Sequence, residues 1–492
     1  MAGRRSLMAG NYERGIYNQL MEVMARLDAV EKDLQDEKVE HKEDVDRLNT
    51  KINALTEENE LLREDNARLK SLLNHDSSNT SNPPSSDEKG KKPSNRYNGR
   101  EKTGRKAGAQ EGHKGNTLTK ADVEEKLRSG RCQHKIKEIG DSTQKEYVTK
   151  YVIDLTVGTV ITEIRIYPDE QGNYAIPPEY RSDVVYGPAV KAMAASLYSE
   201  GVMSNDRIAA FLNAVSDDGM TLSEGSIYGF CKDLAKRAEL SIEHLENELL
   251  AQGAVCTDAT TITVNQLQNY IRIFSVRDTV VYRAMEKKTI KALKEIPFLK
   301  KYAGILIHDH ETALYHFWMD HGECNVHVIR YLRKTIEEAG HTWAKKMIEL
   351  LTVMNEERKK LIAAGMDGFP SESIQAYEEA YQELIVEGRE ENRKTKHRYA
   401  RQDAATLLNR LEKYSHNHLL FLHDFNVYFD DNMSERDLRK VKNRQKMAGG
   451  FRKTIGAEMY CSILTIVETT KRRGQSIMEN LKRLFEGAPA IF

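Results

Sequence analysis

The chain has 492 residues, with 74 Lys and Arg against 75 Asp and Glu and a net charge of −1. That length allows about three domains and a large core, and the even balance excludes a polycation, so a surface for a polyanion must come from local segregation of charge. Five scattered cysteines (Cys132, Cys231, Cys256, Cys324, Cys461) argue against a disulfide framework, and no signal-peptide core or apolar run of roughly 20 residues is visible, so a soluble cytoplasmic protein without a membrane partner is expected.

Residues 14–75 carry leucines at a seven-residue spacing: Leu20, Leu27, Leu34, a break at His41, then Leu48, Leu55, Leu62 and Leu69. With these at d, the a positions include Met24, Val45, Ile52, Asn59, Asn66 and Leu73. Leu at d, β-branched residues at a and a polar Asn favour a parallel two-stranded coiled coil, hence a homodimer or higher assembly. A single solvated helix is the alternative.

Residues 76–120 are rich in Ser, Asn, Pro and Gly and cannot build a packed core. From Lys89 to Lys120 there are ten Lys or Arg against two Glu. Such a segment suits sequence-independent contact with phosphates, and Arg105, Lys106 and Lys114, flanked by glycines, are its candidate DNA-binding residues. A plain solvated linker fits the charge equally well. Residues 121–186 contain the alternating run VTKYVIDLTVGTVITEIRIYP, read as a small β module. Residues 187–250 read as three or four helices, with Pro188 at a helix start and Ser204 and Ser223 as N-caps. Two short helices across a brief turn could form a helix-turn-helix or serve as a packing unit.

After Gly253 the pattern turns to strands. AVCTDATTITV, NYIRIFSVR and VVYRAMEK are β-branched and separated by turn residues, KKTIKALKEIPFL is helix-like, and GILIHDHE returns to β character. Three strands, a helix and a strand match the start of an RNase H-like α/β domain, here assigned to 251–327 and 421–478, with a helical insertion over 328–420. Asp258 falls in the first strand and Asp309 just after the fourth. Glu435 opens the helical stretch ERDLRKVKNRQKM, where Glu435, Arg439, Lys442 and Lys446 share one face. From Glu435 to Lys453 eight basic residues stand against two acidic ones. Three carboxylates suit two Mg²⁺ (or Mn²⁺) ions, with Asp258 bridging and Asp309 and Glu435 each completing one site. Arg436, Arg439, Lys442 and Lys446 are candidate phosphate contacts. Cys324 and His327 are read as packing and hydrogen-bonding residues, because no second ligand pair is near in sequence. The whole is a multidomain α chain with an α/β core: coiled coil, small β-containing module, helical domain, and catalytic domain with its insertion.

SSNTSNPPSSD followed by GRKAGAQEGHKG resembles the opening signature of the insertion-sequence-66 family of bacterial transposases. CTDATTITV and LIHDHE are similar to its two Asp motifs, ECNVHVIRYLRK to the block after the second, and DNMSERDLRKVKNRQKMAGGFRKTIGAEMYCSILTIVETTKRRG to its C-terminal signature, in which the triad Glu stands one position before the Arg. The family's zinc module needs two Cys pairs; only Cys132 and His134 stand at the first and none at the second, so no zinc is expected. The resemblance implies a metal-dependent DNA transposase acting on terminal inverted repeats and target DNA, with accessory transposition proteins as possible partners. The rivals are a degenerate protein that only binds DNA and a nuclease of the same fold that never joins strands.

Overall fold

In the computed structural model, which describes residues 2–73, 120–130, 136, 151, 153, 158–201, 203–216 and 219–492, the N-terminal arm is one continuous helix, α1 (Ala2–Leu73). Its leucine stripe faces solvent, with Leu55 at 57% exposure. The arm touches the rest of the chain through the opposite face, where Glu64 accepts from the Arg398 backbone N–H (3.4 Å) and Ser71 donates to Glu338. The linker cations Arg105, Lys106 and Lys114, and Cys132 with His134, lie outside the described residues. A short helix, α2 (Lys120–Arg128), follows. The alternating run expected as strands contains no strand among its described residues. Val160 and Ile161 are almost wholly exposed, so among the described residues this alternation buries no apolar face.

Four helices come next: α3 (Pro188–Ser199), α4 (Asn205–Val215), α5 (Glu224–Arg237) and α6 (Glu239–Leu250). Pro188 occupies the first helical position of α3, where its missing N–H costs nothing. Ser223 caps α5 through a reciprocal pair with Ser226; Ser204 stands at the cap of α4 without a side-chain bond. Ala192, Ile208, Leu212, Ile227, Leu234 and Leu245 turn into the same core as the sheet that follows.

That sheet has β1 (Ala254–Val264), β2 (Leu267–Ser275), β3 (Val280–Met285), β4 (Ile305–His308) and β5 (Asp320–Glu323) in the order β3-β2-β1-β4-β5. The first three form an antiparallel meander; β4 pairs parallel with β1, and β5 parallel with β4. Asn265 and Gln266 turn β1 into β2 with φ of 48° and 64°, as a two-residue hairpin requires. The expected helix between β3 and β4 is broken into α7 (Ile290–Leu293) and α8 (Pro297–Lys301), because Pro297 cannot continue a helix.

The insertion is five helices: α9 (Asn325–Ala339), α10 (Thr342–Ala363), α11 (Ser371–Arg393), α12 (Arg398–Lys413) and α13 (Ser415–His423). They build a second core around Trp343, Tyr381 and Leu411, which reaches one face of the sheet at Ala254, Cys256 and Ile307. Gly388 permits the close approach of α11 to α10, since a Cβ there would come within 2.8 Å of the Trp343 ring. The opposite face, with Val255 and Leu306, belongs to the first core, as the period of two in a strand dictates. The chain closes with α14 (Asn432–Ala448), α15 (Thr454–Arg472) and α16 (Ile477–Phe485). Helix α15 covers the edge strand β3: Thr465 Oγ1 accepts from the Tyr282 N–H (3.0 Å) and Thr469 Oγ1 from the Val280 N–H (3.2 Å). Among the described residues no helix is long and apolar enough to cross a membrane.

Candidate active site

Strand register places the first two acids. Ala254 stands opposite Ile305 and Cys256 opposite Ile307; pairing stops there, with Asp258 two residues further along β1 and Asp309 just past the end of β4. The third acid comes from α14, which runs beside β1: Lys442 Nζ donates to the Thr261 carbonyl (2.7 Å) and Gln445 Nε2 to Thr263 Oγ1 (3.2 Å). Glu435 lies in the first turn of that helix, where the positive end of the helix dipole favours a carboxylate.

The insertion's first helix closes the group. His327 Nε2, on α9, lies 3.3 Å from Asp309 Oδ2 and 3.5 Å from Glu435 Oε1. Arg330, one turn on, donates to Glu435 Oε1 (2.7 Å) and sits 2.9 Å from the same His327 nitrogen. Asp258 Oδ1 accepts from the Ala259 N–H (2.6 Å). Behind it, Asp431 heads α14, its own N–H bonded to Cys324 Sγ (3.3 Å).

Burial sets the charge of these groups. It pushes the Asp258 carboxyl up to about 6, with Lys288 pulling it back and Asp309 raising it further. It pushes Asp309 to about 6 as well, against Arg410 and Arg330, with Glu323 and Glu435 adding to the rise. Burial, with Arg330 beside it, takes His327 down to about 3, so the ring is neutral at physiological pH. Asp431 is driven well above the carboxylate range by burial and by the charge of Asp258. Anions crowded into a low-dielectric site destabilise one another until a cation arrives.

The donor set fits a hard divalent ion: three carboxylates, two of them raised by burial and mutual repulsion, and a buried Asp309 Oδ1 with no hydrogen-bond partner. Asp258, Asp309 and Glu435 are the residues that would hold it. Yet among the described residues no three His, Cys, Asp or Glu side chains form a ready-made cage; Glu435 is turned to Arg330 instead.

The expected cations of α14 divide. Arg436, Arg439 and Lys446 are exposed, and Arg439 stands 3.7 Å from Glu435. Lys442 is partly engaged, because two of its ammonium hydrogens go to the carbonyl and hydroxyl of Thr261 (2.7 and 2.8 Å). Cys324 fits its reading as a packing and hydrogen-bonding residue, buried at the head of α9. His327 does more, since it bridges two acids. Arg330 and Lys288 were not singled out. The signal for Arg330 was its three-residue spacing from His327 on a helix beginning beside the second Asp motif; Lys288 has no such signal, because its partner is reached across the sheet.

A family model described as "Transposase IS66 family" matches residues 184–459, and one for a family of unknown function (DUF6444) matches residues 30–119. No curated protein matches the chain. The first match spans all three acids, His327 and Arg330, and covers more than half of the chain; the protein belongs to the IS66 family of transposases.

Proposed function

We propose that the protein is a DNA transposase whose RNase H-like domain cleaves the ends of its element and joins the freed 3′-hydroxyls to target DNA. The observation that carries this reading is the meeting of three acids: Asp258 on β1 feels the charge of Asp309, which lies just past the end of the parallel strand β4, and Glu435 stands across a single His327 nitrogen from Asp309. The strand order β3-β2-β1-β4-β5, an antiparallel meander continued by parallel strands, supports the RNase H-like assignment. Two Mg²⁺ or Mn²⁺ ions, when bound, supply activation of the attacking oxygen and charge stabilisation at the leaving one. Asp258, Asp309 and Glu435 would hold them. Arg330 keeps Glu435 oriented and adds positive charge beside the scissile phosphate, while Arg436, Arg439 and Lys446 meet the flanking phosphates. Water attacks the phosphodiester and releases a 3′-hydroxyl, which then attacks a target phosphodiester. No Ser or Tyr nucleophile is required, so no covalent protein–DNA intermediate forms. The exposed leucine stripe of α1 pairs with a second copy, bringing two catalytic bodies to two DNA ends. Accessory proteins belong to the same proposal.

The test uses the full chain with duplexes ending in the DNA that flanks its coding region. Divalent-metal-dependent nicking is expected, and Asp258→Asn, Asp309→Asn and Glu435→Gln each abolish it while DNA binding survives. Cleavage retained by any one variant removes that residue from the site. Joining of pre-cleaved ends separates a transposase from a nuclease, and binding without any cleavage identifies a degenerate binder.

A further inference from the structure

Strand β1 outruns its partner β4. Pairing ends at Cys256 with Ile307, so from Asp258 onward one edge of β1 has no strand beside it. An open edge exposes a row of carbonyls that must be satisfied by something else. Three alternate carbonyls are capped: Ala259 by Lys288 Nζ (3.0 Å), Thr261 by Lys442 Nζ (2.7 Å) and Thr263 by the Phe451 N–H (2.8 Å). Two of the three caps are therefore ammonium groups on neutral acceptors. Among the described residues no Asp or Glu pairs with Lys442. The nearest carboxylate to Lys288 is Glu311 at 3.9 Å, and both Glu311 oxygens already accept from Arg272 (2.6 and 2.7 Å). Positions i and i+2 of a strand are about 6.7 Å apart, so two like charges stand side by side, and repulsion from Lys288 and Lys446 adds to burial in holding Lys442 below its ordinary value. The Tyr270 ring, 5.5 Å from Lys288 Nζ, fixes that ammonium. Each ammonium has three donors; Lys442 uses two on Thr261 and Lys288 one on Ala259, which leaves hydrogens free to meet an anion.

We propose that Lys288 and Lys442 form a two-ammonium anion subsite on the open edge of β1, beside Asp258, that takes consecutive phosphates of a DNA strand next to the scissile one. This rests on the transposase reading and assigns Lys288 a role there. The edge carbonyls hold the two cations at strand spacing in advance, so the strand's phosphates meet them without further ordering.

The experiment measures binding of the full chain to a DNA duplex in metal-free buffer with chelator, as a function of salt. Each lost phosphate contact lowers the slope of log affinity against log salt by about 1. Lys288→Met is expected to lower it by about 1, the Lys288→Met/Lys442→Met pair by about 2, and Lys288→Arg to restore it. Lys291→Met, an exposed lysine on α7, is expected to change nothing. An unchanged slope for Lys288→Met, with the wild-type melting temperature, overturns the subsite and leaves the transposase reading standing. A wild-type chain that binds no DNA at any salt removes both. Because Lys442 also caps a strand, a second measurement keeps wild-type protein and replaces single phosphates by neutral methylphosphonates. Two adjacent sensitive linkages on one strand support the subsite, and uniform tolerance overturns it.

Discussion

Two buried acidic centres lie close together in this chain and are built in opposite ways. Asp309 follows the last residue of β4, with one oxygen unpartnered and its carboxyl pushed up to about 6. Glu323 ends the neighbouring β5, wholly buried, and is saturated: it accepts from Tyr315 (2.5 Å), from Arg410 through two nitrogens (2.5 and 3.2 Å), and meets His310 (2.5 Å) and His418 (3.0 Å). Burial alone would raise Glu323, but hydrogen bonds from His310 and His418 and the charge of Arg410 hold it far below the ordinary carboxylate range. A carboxylate surrounded by donors is a structural tie, here joining the sheet to α12 and α13. A carboxylate among other carboxylates, with an idle lone pair, is set up for a cation. The tie also serves the site, because His310 follows Asp309 directly and holds a left-handed φ of 45° that a non-glycine residue rarely adopts.

The largest effect is expected from breaking the tie. Glu323→Gln leaves the Arg410 charge, 12% exposed, without its anion inside the protein. Removing one partner of a buried pair costs about 3–5 kcal/mol. Urea unfolding of purified protein checks this; a loss below about 1 kcal/mol means that solvent, and not Glu323, balances Arg410.

The acids of the site should respond with the opposite sign. Asp258 and Asp309 both rise from the ordinary 3.8 to about 6. A group raised in the folded state adds stability that is fully present below its unfolded value and lost as pH rises through its folded one. Metal-free protein should therefore weaken between about pH 4 and 6 on account of these two groups. Glu323 works the other way, its contribution present above the ordinary 4.5 and lost only in strong acid. Asp309→Asn should be more stable than wild type at neutral pH by roughly 1–3 kcal/mol and should lessen the decline, and adding Mg²⁺ to wild type should flatten it. Melting temperatures across pH, with and without Mg²⁺, make the measurement. A less stable Asp309→Asn at neutral pH would show that the site is not strained by its own charge.

Which parts were legible in sequence follows from how local their causes are. Asp258 and Asp309 could be placed because β-branched runs announce strands, and their separation in sequence equals the offset of the β1–β4 register. Glu435 was visible as an acid heading a basic amphipathic stretch. The helical character of the insertion was legible from its charge and apolar periodicity, but neither the number of its helices nor the fact that α9 reaches into the site with His327 and Arg330, since their partners lie just past β4 and on α14. Glu323 opens the ECNVHVIRYLRK block, but its role as a tie gave no signal: its donors come from positions 310, 315, 410 and 418, which only tertiary packing unites. The face shared by Glu435 and Lys442 was read correctly as a helix face, but periodicity cannot tell that Lys442 bends to the open edge of β1.

The smallest expected effect tests whether saturation itself is what distinguishes the tie. Tyr315 donates one hydrogen bond to Glu323, while its ring stacks on Tyr414 (4.8 Å) and meets His308 edge-on (5.0 Å). Tyr315→Phe keeps the ring and removes only the hydroxyl. With Arg410, His310 and His418 still in place, Glu323 remains charged and mostly satisfied, so the loss should be that of one hydrogen bond, about 1 kcal/mol, and the pH profile should keep its shape. If Tyr315→Phe instead costs as much as Glu323→Gln, the cluster depends on one donor and not on the surplus of them. Glu323 would then be as precariously held as Asp309, and the contrast between a structural carboxylate and a waiting one would lose its basis.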